Sequence, residues 1–146
     1  MFKSIAMLNQ ESVEKAINEA CANLYQKWPH IIEEHLNERT IVADFIAPHL
    51  RREFPEWDVN TDFNREGVDR GPKTDLTGRL LLPDIIIHKH GPDGPNVAAI
   101  QVKGHWNRED RNKDEESLKR IQAKHGYAFL FRLELEHERH QLIRVA

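Results

Sequence analysis

Apolar residues recur with two different periods along the chain, and the changes of period mark out its elements. Over residues 9–28, Val13, Ile17, Ala20, Cys21 and Leu24 return every three or four positions. That is the spacing of a helix with one buried face, and Asn9 or Ser12 can cap its start. Pro29 ends it. A second helical segment, from residue 30 or 37 to residue 54, carries Ile41, Phe45, Ile46 and Leu50 on its inner face. Pro48 should kink or split this helix, because it removes a backbone donor and clashes one turn back. The period then falls to two: Trp57, Val59, Thr61 and Phe63 alternate as in a strand. Residues 64–80 show no period and read as a loop. Residues 111–124 return to helical spacing, with Leu118, Ile121 and Gln122 inward, Asp110 or Asn112 as cap, and Asp114, Glu115 and Glu116 where the helix dipole favours acids. Gly126 stops that helix, an apolar strand follows over 127–135, and a short last strand over 141–145.

The stretch between the loop and the third helix organises the rest. Residues 83–103, PDIIIHKHGPDGPNVAAIQVK, read as two strands joined by a tight turn: Ile85, Ile86 and Ile87, then a turn rich in Gly and Pro, then a second apolar run ending at Val102. Alternation places Asp84, Ile86 and His88 on one face and Ile85 and Ile87 on the other. In the second strand Ala99, Gln101 and Lys103 share a face opposite Ala98, Ile100 and Val102. An antiparallel fold about Asp93 brings Asp84, Gln101 and Lys103 to one end of the hairpin. Both strands are otherwise apolar enough for the interior, so polar groups gathered there call for an account. Taken singly, Asp84 is a strand entrance after a proline and Lys103 a solvated strand end; taken together, a carboxylate, an amide oxygen and an ammonium can hold a hydrated divalent cation and a phosphate.

Composition adds bounds rather than detail. The chain has 146 residues, the size of one domain, with 31% charged and 39% apolar residues, as in a soluble globular protein. The net charge of −3 supplies no global positive field for nucleic acid, so basic residues serving such a partner would be confined to one cleft. Cys21 is the only cysteine, which excludes an internal disulfide and the cysteine-rich zinc patterns, and its place on an apolar stripe makes it a buried small residue. No signal peptide or membrane span is read, and the cytoplasm is the expected compartment. The nine histidines, His88 and His90 or His137 and His140 included, match no helical zinc-protease or finger spacing.

Pro83 and Asp84 at the opening of one strand, and Gln101, Val102 and Lys103 at the close of the next, resemble the PD-(D/E)XK nuclease superfamily. Gln101 stands where an acidic residue is common, as in the Mrr-like restriction enzymes and other branches with Gln-x-Lys. The resemblance implies an α/β fold with a restriction-endonuclease-like αβββαβ core, a mixed central sheet flanked by helices. It covers the chain from about residue 37 onward, so that residues 1–36 form a helical extension and the whole is a single domain. It also assigns Glu38, near the start of the second helix, as a further acid reaching toward the metal; otherwise Glu38 is a first-turn acid favoured by the dipole.

The activity so implied is metal-dependent hydrolysis of phosphodiester bonds, most naturally in DNA. Mg²⁺ or Mn²⁺ would be held by Asp84, by Glu38 directly or through water, by the Gln101 amide oxygen and by the Val102 backbone carbonyl. Lys103 would orient or help deprotonate the attacking water and stabilise the developing charge. Arg65, Arg70, Lys73 and Arg79 in the 64–80 loop are candidates for phosphate contacts, although Glu66, Asp69 and Asp75 offset them. Specificity would come from loops, a homodimer or a partner protein. The alternative is a catalytically inactive module of the same fold that binds nucleic acid or a protein within a defence or repair complex, since a neutral Gln101 holds a cation less strongly than Glu.

Overall fold

A computed structural model of the protein describes residues 8–61, 83–91 and 94–146. The elements are α1 (Gln10–Lys27), α2 (Pro29–Glu33), α3 (Glu38–Ile41), a π-helical turn (Val42–Ile46), α4 (Ala47–Glu53), β1 (Asp58–Thr61), β2 (Ile85–His88), β3 (Asn96–Gly104), α5 (Arg111–His125), β4 (Phe129–Leu135) and β5 (His140–Arg144). The strands form one mixed sheet in sequence order, with β3 and β4 parallel and every other pair antiparallel. Parallel neighbours need a crossover rather than a tight turn, and α5 supplies it. The expected α/β class with a mixed central sheet flanked by helices is therefore observed.

Each helix end follows from a local residue. Asn9 caps α1, its Oδ1 accepting the Ser12 N–H at 2.8 Å, and Asn37 caps α3 in the same way through the Arg39 N–H. At the end of α5, Gly126 takes φ +71° and donates its N–H to the Gln122 carbonyl, a left-handed cap that a side chain would strain. The segment expected to kink or split at Pro48 is interrupted as an α-helix, but by a change of helix type rather than a gap. The chain stays helical from Glu38 to Glu53, and the turn before Pro48 widens so that the Ala47 N–H reaches back five residues to Val42. Proline offers no N–H to the carbonyl four residues earlier and crowds it, and the wider turn accommodates that without a break. The alternative start near residue 30 belongs to the separate helix α2.

Two apolar layers sandwich the sheet. Ile85, Ile87, Ala98, Ile100, Val102, Phe131, Leu133 and Leu135 pack with α1 and the α3–α4 segment on one face. Ile86, Ala99 and Leu130 pack with Leu118, Ile121 and Tyr127 on the other. Burial on both faces explains why β2 is an unbroken isoleucine run rather than an alternating one. The strands begin at Asp58 and Phe129, one and two residues later than periodicity suggests, and β5 begins at His140, one residue earlier. Phe63, the 64–80 loop with Arg65, Arg70, Lys73 and Arg79, and the turn residues Pro92 and Asp93 lie outside the described residues. None of the described helices is long and apolar enough to cross a membrane.

Cys21 lies in the centre of the α1 contact, fully buried, and burial pushes its thiol pKa up to about 12. Only the thiolate is nucleophilic. Iodoacetamide at mildly alkaline pH should therefore leave the folded protein unlabelled and alkylate Cys21 once urea unfolds it. Labelling of the native chain at the rate of a free thiol would contradict this placement.

Candidate active site

The register of β2 on β3 pairs Ile85 with Ile100, and continuing it sets Asp84 opposite Gln101 and Pro83 opposite Val102. β2 ends there, but β3 runs on to Gly104. The His105 N–H donates to Leu135 of β4, so odd-numbered residues here bond toward β4 and the N–H groups of Val102 and Gly104 point to the side that β2 has vacated. Two carboxylates fill the gap. Asp84 Oδ2 accepts the Val102 N–H at 2.7 Å, and Glu38 Oε2 accepts the Gly104 N–H at 2.5 Å. The Val102 carbonyl faces the same side, and Pro83 has no N–H with which to satisfy it.

Glu38 reaches this position because Asn37 starts its helix and the first turn aims the side chain at the sheet; its Oε1 also accepts from Asn107 Nδ2 at 2.9 Å. Asn107 belongs to the turn after β3, which Arg111 fastens by donating to the carbonyls of Asn107, Glu109 and Gly104. Gly104 is required at this turn for room: a Cβ there would lie 2.4 Å from the Trp106 ring.

Alternation directs Lys103 toward α5, on the face it shares with Ala99 and Gln101. It is 8% exposed. Its Nζ donates to Glu109 Oε2 at 2.9 Å and lies 3.6 Å from Asp114 Oδ1. Burial alone would lower its pKa, but the hydrogen bond to Glu109 and the charges of Asp114, Glu109 and Glu38 outweigh burial, and the net shift is above the ordinary lysine value. Lys103 is held as an ammonium. Asp114 is the less comfortable partner. Burial pushes its pKa up, Lys103 pulls it only partly back, and its Oδ2 is buried without a hydrogen bond among the described residues. Glu109, by contrast, has a side chain that is 69% exposed, and its Lys103 hydrogen bond holds its pKa below the carboxylate range.

The structure thus gathers Glu38, Asp84, Gln101, Val102 and Lys103 at one end of β3, and adds Asn107, Glu109, Arg111 and Asp114, which the sequence reading did not single out. Asp114 is not one of the solvated acids at the start of α5: it faces inward, four residues before Leu118 and seven before Ile121, on the same buried stripe. Its neighbour Glu115 pairs with Arg132, which with Arg111 also binds Glu134. The oxygen donors at the overhang suit a hard, oxygen-seeking cation such as Mg²⁺. Comparison with protein-family models, with curated protein sequences and with solved structures returns no match.

Removing an acceptor here leaves backbone donors stranded. Glu38→Ala should lower the unfolding free energy by about 1–3 kcal/mol, the cost of leaving a buried donor unsatisfied. Urea denaturation checks it, and an unchanged midpoint would show that water replaces the carboxylate without loss.

Proposed function

We propose that the chain is a metal-dependent nuclease with a restriction-endonuclease-like αβββαβ core, hydrolysing phosphodiester bonds in cytoplasmic DNA. The observation that carries this reading is the overhang of β3, where Asp84, Glu38, the Val102 carbonyl and the Lys103 ammonium gather. Asp84 would be the main ligand of Mg²⁺ or Mn²⁺, with the Gln101 amide oxygen and the Val102 carbonyl completing the protein's share. Glu38, whose two oxygens already accept from Gly104 and Asn107, would contribute through water. The ion would supply charge neutralisation at the phosphate and an ordered water. As an ammonium, Lys103 is suited to orient that water and stabilise developing charge rather than to remove a proton. Its exposed partner Glu109 is the group that a bound phosphate would displace, leaving Asp114 beneath it.

A second reading, a catalytically silent module binding nucleic acid or a protein partner in a defence or repair complex, has its own support. Lys103 is already ion-paired, both Glu38 oxygens are engaged, and Gln101 brings no charge.

Linear and circular DNA, single- and double-stranded, should be cleaved with Mg²⁺ or Mn²⁺ and left intact with EDTA. Asp84→Asn, which keeps an oxygen for the Val102 N–H but removes the charge, should reduce the rate by at least about a hundredfold, as should Lys103→Ala. Cleavage unaffected by both would remove the site from the mechanism, whereas a folded wild type that neither cleaves nor binds Mn²⁺ would favour the silent module. Glu109→Ala gives a prediction of opposite sign: with its competitor gone, Lys103 should bind phosphate at least as well, so cleavage is retained or rises. The raised Lys103 pKa also means that Lys103 imposes no loss of activity as the pH rises toward the ordinary lysine range.

A further inference from the structure

Away from the hairpin, α1 and α4 pack side by side, and three side chains of metal-binding type meet where they touch. His49 and Glu53 stand one turn apart on α4, and Glu19 comes from α1. One ligand atom from each lies within 4.8 Å of the other two. His49 Nε2 is 3.6 Å from Glu19 Oε2 and 3.9 Å from Glu53 Oε1. Both distances exceed those of a nitrogen-to-oxygen hydrogen bond. This nitrogen is buried and has no hydrogen-bond partner among the described residues, and the His49 side chain is only 12% exposed. A buried ring nitrogen facing two carboxylates without bonding to either is an unfavourable arrangement that one shared cation resolves.

The geometry points to a divalent transition-metal site formed by Glu19, His49 and Glu53, with Zn²⁺ as its best-suited ion. A tetrahedral zinc with bonds near 2.0–2.2 Å brings its ligand atoms to about 3.3 Å from one another. From His49 Nε2 the two carboxylate oxygens, at 3.6 and 3.9 Å, are close to that spacing, and the two oxygens lie within 4.8 Å of each other. Glu19 and Glu53, with side chains 42% and 47% exposed, have the freedom to close the remainder. The imidazole argues against Mg²⁺ and Ca²⁺, which take oxygen, and the lack of a thiolate argues against Cu(I). Lys15 lies 3.9 Å from Glu19 but on its other oxygen, Oε1, and its side chain is 78% exposed, so it competes weakly. The bound ion would tie α1 to α4, and the site stands whether or not the hairpin cleaves DNA.

The test is titration of the full chain, stripped with EDTA and dialysed, with Zn²⁺ alone, read by calorimetry and thermal unfolding. One tight equivalent is expected, with a melting-temperature rise on the order of 5–10 °C when free Zn²⁺ is a hundredfold above Kd. Co²⁺ in its place should give the visible absorption of a four-coordinate centre. His49→Gln and, at the more exposed position, Glu53→Gln should each weaken binding by at least about tenfold, the loss that even outer-shell changes bring. His137→Gln, a control among the other histidines, should leave binding intact. Circular dichroism of the metal-free variants establishes that they are folded. The proposal is overturned if the wild type takes up no Zn²⁺, or if folded His49→Gln and Glu53→Gln bind it as the wild type does.

Discussion

The hydrogen bonds from the Val102 and Gly104 N–H groups to the carboxylates of Asp84 and Glu38 join three stretches of chain at one point. β3 is nine residues long and β2 only four, so β3 necessarily outruns its neighbour. An interior strand with no partner exposes donors whose desolvation costs about 1–3 kcal/mol each if they go unmet. Extending β2 is prevented by Pro83, which cannot donate to the ladder, and side-chain oxygens take the place of the missing strand. A carboxylate is a good substitute because it accepts more than one hydrogen bond and strengthens each by its charge. The same substitution gathers two carboxylates beside the Val102 carbonyl at the strand end.

Concentrated negative charge in turn explains how a lysine comes to be buried on the adjacent position. An isolated ammonium at this depth would lose its proton or not be buried at all. Three acids around Lys103 reverse the balance, and its pKa moves up instead of down. The two closest acids are not equivalent. Glu109 is exposed on a turn that Arg111 holds by its carbonyls, so it can leave at small cost. Asp114 is fixed on α5 beneath the lysine and has an oxygen with no donor among the described residues. The lysine therefore has one buried, fixed acidic neighbour and one exposed one.

Much of this was legible along the chain, because the features concerned are local. Alternation through Ile85–Ile87 and Ala98–Val102 gave the faces of the hairpin, and antiparallel pairing about the turn brought Asp84 to the same end as Gln101 and Lys103, while the exact register, which shifts between Ile87 and His88, came only with the structure. The roles of Asn107, Glu109 and Arg111 were not legible, because they depend on how a turn without periodicity closes over Trp106. Asp114 is a different case. Its spacing from Leu118 and Ile121 already put it on the buried stripe of α5, but an acid in a first turn has a sufficient explanation in the helix dipole, and the stripe was read only from its apolar members. The Glu19, His49 and Glu53 cluster escaped because only two of its members share a helical face, and the third lies thirty residues away on another helix.

The phase of α4 depends on the π turn. Buried positions in the second helical segment fall at Ile41, Val42, Ile46, Ala47 and Leu50, so that Ile41 to Ile46 and Val42 to Ala47 are steps of five where an ordinary helix takes three or four. One added residue rotates everything after it by about 100° about the axis relative to a regular helix. Val42, Ile46 and Leu50 stay on the buried face although Pro48 intervenes, while His49 and Glu53 meet Glu19 of α1. In an uninterrupted α-helix the residues one turn after Ile41 and Val42 would be Phe45 and Ile46, and His49 would follow them toward the core. In the structure Phe45 and His49 are both half-buried, and two carboxylates, from Glu19 and Glu53, meet the histidine.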